Sequence, residues 1–385
     1  MRIVLWQNEL AFHQAPHIRA LAKLNNDEVL WIVQEEMSSI RMQQGWYIPG
    51  GGDASVIIDP NKSEISRLIH HRTEESIHIF SGISLCAMIR QAFNECLKTD
   101  ARIGLLVETS DPDGINGYLR FLRGRFWAYK YGSRIAFILG IGKPAIEWYT
   151  LCKFPSASIF PYGYFPEVSC AEIYNPEMAG ESDIFNVIYI GLCSYGKGVD
   201  LLISALTELC GQKWCLTIVG QGPYRLNLQK QVLVNKLENR VRFYPYMQHE
   251  QVLKLLVEQD LLVLPSRAKE GWGSVVNEAL MCGVPAICSD RCGAQDLLQE
   301  EWRGETFATG NMLALKEGID KRMHLGKPDI ALRQRIHEWS MLYASGDVSA
   351  RYLFQILNHV SGLCKRPVPP WFTLEMAKSI ERGAL

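Results

Sequence analysis

The chain has no C-x-x-C pair, no apolar run approaching the ~18 residues of a membrane span, almost no net charge and no internal sequence repeat. Each absence removes a class. The 40 Lys and Arg against 41 Asp and Glu leave a formal charge of -1, which argues against nucleic-acid binding as the main role. The 11 cysteines are odd in number and scattered, and several, such as Cys215 and Cys288, lie inside apolar runs. The nearest two, Cys288 and Cys292, fit no zinc spacing, so the pattern is that of reduced core thiols in a cytoplasmic protein. Met1 to Trp6 is too short an apolar stretch for a signal peptide and runs straight into polar residues, so no targeting segment is expected. What is present is ample core-forming material: 385 residues, 48% hydrophobic and 21% charged, enough for two or three domains.

One stretch stands out, from Pro265 to Pro285. The run Leu261-Leu262-Val263-Leu264 between Asp260 and Pro265 reads as a fully buried parallel strand. A Gly-rich turn follows, then a helix with Ser274 as the expected N-cap, Gly283 where a left-handed terminator is wanted, and Pro285 as a stop. A strand that delivers such a turn to a helix N-terminus builds an anion site. Glu270 and Glu278 stand eight positions apart, and at roughly 100° per residue that spacing returns to within a quadrant of one face. Two acids beside an anion site point to a ligand with both hydroxyls and phosphate.

The rest of the chain alternates strand and helix. Strands are expected at 2–6, 28–34, 55–59, 76–80, 102–107, 134–139 and 158–165, with a polar, Gly-rich loop at 35–55 over or beside a cleft. Residues 166–184 lose periodicity and read as a linker. A second alternation places strands at 186–190, 214–219, 241–244, 261–264 and 284–289. Beyond 300 the pattern is helical, broken at Pro328 and Gly346, and the Pro-rich segment 366–372 precedes a last helix at about 374–381. The fold class is α/β: two parallel sheets covered by helices on both faces, whose ligands sit outside the carboxyl ends of the strands.

Four pieces in order now show a family resemblance: Ile190-Gly191 with Gly196-Lys197-Gly198; Leu216 to Pro223 with its Gly-Gln-Gly-Pro; Val241-Arg242-Phe243 through Tyr246; and Glu270-x7-Glu278 with Gly283-Val284-Pro285. Residues 186–298 resemble the donor-binding domain of the retaining glycosyltransferases of family 4, with their GT-B fold and E-x7-E motif. The N-terminal half matches loosely, chiefly at Phe160-Pro161-Tyr162-Gly163. The resemblance implies two Rossmann-like doubly wound domains facing across a cleft: an acceptor-binding domain at 1–165, a linker at 166–184 and a nucleotide-sugar domain at 185–365. A tail and helix at 366–385 would cross back to the N-domain. It further implies that Lys197, between Gly196 and Gly198, contacts the donor diphosphate. Glu278 would hold the ribose hydroxyls and Glu270 the sugar near the anomeric carbon. Gly191, Gly222, Gly271, Trp272, Gly273 and Ser274 would complete the donor site, and Phe243 to Tyr246 would flank the base. The donor would be UDP- or GDP-linked, and neither metal nor other cofactor is implied.

The chain departs from that pattern in three places. The family's second phosphate clamp, an arginine, is Leu192 here, with Arg225 and Arg267 as candidate substitutes. The family's N-domain histidine is replaced by Glu108, with His13 and His78 as rivals; Glu108 reads equally as a strand-end acid paired with an arginine, and His13 as a loop histidine without a role. The Gly-rich first loop is missing, and His13-Gln14 stands in its place. Asp111-Pro112-Asp113-Gly114 contains D-x-D, but Pro followed by Asp-Gly spells a β-turn rather than a metal site. Residues 118–134 interleave Arg120, Arg123, Arg125, Lys130 and Arg134 with six aromatics. That stretch suits either an anionic membrane surface or an ordinary helix with a cationic solvent face. The expected activity is transfer of a hexosyl group to a glycan or lipid-linked glycan, as in surface polysaccharide or lipopolysaccharide assembly, by a protein peripheral to the inner face of the cell membrane. A nucleotide-sugar epimerase of related fold, or a non-catalytic sugar-nucleotide-binding protein, are the alternatives.

Overall fold

The computed structural model describes residues 1–43, 45–111, 114–168 and 183–373. Seven strands form the first sheet: β1 (Arg2–Glu9), β2 (Val29–Glu35), β3 (Ser55–Ile58), β4 (Ser76–Phe80), β5 (Arg102–Val107), β6 (Ile135–Ile141) and β7 (Ile159–Tyr162), in the order β3-β2-β1-β4-β5-β6-β7. The second sheet has six: β8 (Phe185–Ile190), β9 (Trp214–Val219), β10 (Val241–Tyr244), β11 (Leu261–Leu264), β12 (Ala286–Ser289) and β13 (Gly304–Phe307), in the order β10-β9-β8-β11-β12-β13. Neighbouring strands in both sheets run parallel. Both orders reverse beside the first strand, between β1 and β4 and between β8 and β11, and the crevice outside the strand ends at such a reversal is where doubly wound sheets take their ligands.

Composition explains the strands. Leu261 to Leu264 are buried along the whole of β11, as a strand covered on both faces requires. In the first sheet Trp6 stacks on Phe80 at 5.9 Å, and its indole N–H donates to His78 Nδ1 at 3.0 Å. His78, expected near a strand end, is therefore a core residue in the middle of β4. Burial, with Arg2 nearby, lowers its pKa to about 3, and it takes no part in the cleft. β13 was not evident from the sequence because Gly304-Glu305-Thr306-Phe307 lacks a hydrophobic run.

One expectation about the C-terminal part changes. The chain crosses back to the first domain with the helix Gly346–Val360, well before residue 366. Ser349 binds this helix to the N-domain: its hydroxyl lies 3.1 Å from His17 Nδ1, and its carbonyl accepts from Tyr162 Oη at 3.0 Å. Gly346 starts the helix because it lies against Pro16, where a Cβ would come within 2.8 Å of that backbone. The tail continues on the same side, with Arg366 over the Phe160 ring at 4.2 Å and bonded to Ala157 O at 2.6 Å. The helix expected at 374–381, and most of the linker at 166–184, lie outside the described residues.

A second bridge between the domains is a buried carboxyl. Asp296, in the 3-10 segment Gly293–Leu297, is 3% exposed and accepts from the Lys143 backbone N–H at the start of the helix Gly142–Leu151. Desolvation raises its pKa to about 7, with Lys143 opposing. A carboxyl whose folded pKa is raised contributes stability below its unfolded pKa, and that contribution is lost as pH climbs through the folded value. The thermal midpoint of the wild type should therefore fall from about pH 4 to about pH 7 relative to Asp296→Asn, and the gap should level off above that range. Thermal melts of both proteins across that range check it.

Candidate functional site

The carboxyl ends of β8, β9 and β11 converge on a cavity of about 290 Å³ lined by both domains. The second domain supplies Gly191, Leu192, Lys197, Tyr246, His249, Glu270, Gly273, Ser274 and Glu278, among others; the first supplies Phe12, Gly45 and Trp46. The E-x7-E acids thus face one space. They do so by different routes, because Glu270 rides on the loop after β11 and Glu278 on the helix Val275–Met281.

Lys197 is aimed by its turn. The 3-10 turn Tyr195–Lys197 ends at Gly198, whose φ of +70° is left-handed. A Cβ there would lie 2.0 Å from Pro265 O, so only glycine lets this turn close against the loop after β11. The Gly196 carbonyl accepts from the N–H groups of Arg267 and Ala268, at 2.8 Å each, which stitches the two loops together. Lys197 Nζ then reaches Glu270 Oε2, and Ser266 Oγ donates to the same oxygen at 3.2 Å. Both partners are partly buried, with side chains 27% and 18% exposed. At the other end of the cavity Glu278 is 6% exposed, and its Oε1 accepts from His249 Nε2 at 3.3 Å. Burial lowers the His249 pKa, but the hydrogen bond and charge of Glu278 outweigh it, so the imidazole titrates above its ordinary value.

Several site residues behave differently from expectation. Ser274 begins the helix but makes no side-chain cap bond, because its backbone is already helical. It lines the cavity instead. Gly283 has the left-handed φ, +72°, expected of it. Trp272 does not line the cavity: it is 2% exposed, donates to Asn277 Oδ1 at 2.7 Å and packs on Phe165 of the first domain at 5.9 Å. Gly196, Gly198, Gly222 and Gly271 are not among the residues that line the cavity, and each lies in a tight loop contact, with Ala268, Pro265, Cys193 and Glu108 respectively. The two candidate substitutes for the phosphate clamp are committed elsewhere. Arg267 forms a paired bridge to Asp200 at 2.5 and 2.7 Å, and Arg225 donates to the carbonyls of Gly220 and Tyr244 and lies over Phe243 at 5.3 Å. Leu192 itself lines the cavity, 39% exposed.

Across the cleft, Glu108 at the end of β5 accepts from Tyr164 Oη at 2.9 Å. Its carboxyl abuts Gly271, where a Cβ would come within 2.2 Å of Oε2. Desolvation raises its pKa; the Tyr164 bond opposes, and the charge of Glu270 adds to the rise. His13 is off the cavity, 9% exposed and packed at 4.4 Å from the Tyr164 ring. Burial, with Arg41 nearby, lowers its pKa to about 3, so at neutral pH it is an uncharged imidazole. Arg41 pairs with Glu9 at 2.6 Å and lies 4.4 Å over Trp46. Among the described residues no group of three or more His, Cys, Asp or Glu side chains is arranged to hold a metal ion.

Sequence reasoning missed His249, Phe12 and Trp46. The loop at 35–55 was expected near the cleft and does bring Gly45 and Trp46 to the cavity. No spacing signals His249, since its partner is 29 positions away on another helix.

Residues 179–339 match the family model described as glycosyl transferases group 1. The gpi3 subunit of phosphatidylinositol N-acetylglucosaminyltransferase from Schizosaccharomyces pombe is 30% identical over 136 residues, 34% of this chain and 30% of that protein. Alpha-D-kanosaminyltransferase from Streptomyces kanamyceticus is 29% identical over 164 residues, 42% of this chain and 41% of its own length. The chain thus spans less than half the length of these curated relatives. Among solved structures, Anabaena Alr3699/HepE in complex with UDP superposes with a TM-score of 0.70 at 15% identity, covering 93% of this chain and 100% of that one. The lipopolysaccharide outer core galactosyltransferase WaaB in its apo form gives 0.68 at 15%, covering 93% and 99%. The fold is GT-B, two Rossmann-like domains facing across a cleft, and the likenesses support a place in the glycosyltransferase superfamily.

The Gly198 turn gives a direct test of how the site is built. Gly198→Ala imposes a left-handed alanine, about 1 kcal/mol or more, on top of the contact with Pro265 O. Urea unfolding should show a lower midpoint for the variant, whereas Gly211→Ala, whose Cβ would meet nothing within 4 Å, should match the wild type more closely.

Proposed function

We propose that the chain is a retaining hexosyltransferase of family 4 type. It takes a UDP- or GDP-linked sugar and transfers the sugar to a hydroxyl of a glycan or lipid-linked glycan, in surface polysaccharide or lipopolysaccharide assembly. The observation that carries this reading is the convergence of Lys197, Glu270 and Glu278 on one cavity at the strand ends of the second sheet. With donor bound, Lys197 would leave Glu270 for the diphosphate, freeing Glu270 for sugar hydroxyls near the anomeric carbon. Glu278 would hold the ribose. Gly191, Gly273 and Ser274 would line the phosphate and sugar, with Tyr246 toward the base. Glu108, raised in pKa and beside Gly271, would face the reacting sugar from the N-domain, whereas His13 would act at most through Tyr164. The bond between the anomeric carbon and the leaving phosphate oxygen breaks as the acceptor oxygen bonds the same face, and the acceptor proton passes to that phosphate oxygen. Electrostatic stabilisation of the leaving diphosphate supplies much of the acceleration, and no metal is part of the proposal.

The acceptor side of the proposal rests on the helix Gly114–Tyr131. It is seated on the domain by Gly117, Gly124 and Ala128, all buried. Its outer face shows Ile115, Tyr118, Leu119, Leu122, Phe126 and Tyr129, from 45% to 91% exposed. At about 100° per residue these six fall within an arc of about 100°, with Arg125 on one flank and Arg120, Arg123 and Lys130 on the other. An apolar ridge between cationic flanks suits an anionic bilayer surface, which would bring a lipid-linked acceptor to the cleft. No helix among the described residues is long and apolar enough to cross a membrane, so the contact proposed is peripheral, on the inner face of the cell membrane.

The exposed Leu192, where the family carries an arginine, favours one second reading: a sugar-nucleotide-binding protein without turnover. Nucleotide release from UDP- and GDP-sugars in the presence of extracted lipid acceptor separates the two. Turnover is expected, with Lys197→Ala and Glu278→Ala each losing tenfold or more in kcat/KM, in line with charge-assisted bonds of roughly 1.5–3 kcal/mol. An epimerase would release no nucleotide. Liposome flotation tests the surface: binding should require anionic lipid, should fall when Arg120, Arg123 and Arg125 become Gln, and should fall again with Leu122→Ser and Phe126→Ser.

A further inference from the structure

We propose that His249 is a positioning residue for Glu278, fixing the carboxylate that receives the donor's ribose and tying that act to contact with the N-domain. The inference rests on the nucleotide-sugar reading above.

The geometry is specific. His249 is the first residue of the helix His249–Val257, whose start is fixed by the Gln248–Gln251 capping box. From there its imidazole, 15% exposed, reaches Glu278 Oε1 at 3.3 Å. One carboxylate oxygen is thereby held, and the other is left for a ligand in a cavity that both side chains line. A carboxylate 6% exposed with no such partner would be a desolvated, freely rotating acid; the imidazole orients it and supplies compensating charge.

The other face of the ring touches the opposite domain. Phe12 lies 5.1 Å from it and Tyr47 6.1 Å, and Phe12 is itself braced edge-on by Trp46 at 4.8 Å. The backbone closes tightly here, since a Cβ on Gly45 would fall 2.1 Å from Met247 O. His249 is thus the joint between the ribose acid and the aromatic group of residues 12 and 46–47. If the domains separate, the ring loses its support and Glu278 loses its orientation. Ribose recognition and cleft closure then become one event.

Charged and titratable groups around the ring are Glu278 from the neighbouring helix, Glu250 on its own helix, Tyr47 from the N-domain and Glu167 along the adjoining groove. Glu278 and Glu250 favour the imidazolium, while Glu167 is paired with Arg19, so the contact to Glu278 is charge-assisted at low pH and weakens as pH rises past the imidazole's pKa.

Calorimetric titration of the full chain with UDP and with GDP tests this. His249→Phe keeps the ring packing on Phe12 and Tyr47 but cannot donate. Its Kd for the nucleotide that the wild type binds should rise about tenfold, the effect of losing one hydrogen bond to a charged group. His249→Gln, whose amide can donate to Glu278, should recover most of that affinity and should flatten the loss of affinity that the wild type shows as pH rises above the ordinary imidazole range. His249→Gln should keep the wild-type thermal midpoint, whereas His249→Phe, which leaves a buried carboxylate without its partner, should lower it. Unchanged affinity in His249→Phe overturns the inference while leaving the donor reading intact. Equal weakening in both variants with lowered thermal midpoints overturns it in favour of a structural role. If the wild type binds neither nucleotide, the donor reading falls and this inference with it.

Discussion

Lys197 and Glu270 leave neighbouring parallel strands, β8 and β11, and meet over the cavity, and the form of the site depends on that meeting. Neither side chain is fully solvated, so each alone would be a partly desolvated charge. Together they neutralise one another, and Ser266 adds its hydroxyl to the same carboxylate oxygen. The pair forms only because the turn at Gly198 can lie against Pro265 and the Gly196 carbonyl can accept two N–H groups from the next loop. A ligand that offered phosphate to Lys197 and hydroxyls to Glu270 would replace one internal contact by two external ones.

The same economy holds at the far end, where Glu278 is satisfied by His249. Both acids of the motif are thus paired within the protein, one by a residue the family resemblance anticipated and one by a residue it did not. The two domains meet around these pairs. Trp272, one loop position from Gly271, packs into the first domain on Phe165, and Gly271 itself lies against Glu108. Asp296 and the helix Gly346–Val360 hold the domains together away from the cavity. The cavity wall is therefore built from both domains, and the raised pKa of Glu108 comes first from its desolvation at that junction, with the charge of Glu270 adding to it.

Much of the scaffold was readable along the chain. β4, β5, β9, β10 and β11 fall at the expected residues, since each is rich in β-branched, aromatic or other apolar residues. Lys197 between two glycines, the two acids eight apart and the left-handed Gly283 were also legible, because local backbone demands and helical spacing leave their mark on nearby residues. What was misread involves partners distant in sequence. His78 looked like a strand-end histidine and is bonded to Trp6 in the core. Arg225 and Arg267 looked like free cations and are tied to carbonyls and to Asp200. Trp272 looked like a ligand-facing aromatic and is a domain brace.

The sequence by itself determined the two doubly wound sheets, the loop that carries Glu270 and the glycine-flanked lysine, because hydrophobic periodicity and backbone permissiveness are local properties. Only the tertiary structure decided which charges are free to meet a ligand. It paired Lys197 with Glu270 and His249 with Glu278, buried His13 as a neutral ring and set Glu108 against Gly271. The reason is physical: burial and pairing set a charge's availability, and both depend on chain segments that the fold alone brings within a few ångströms.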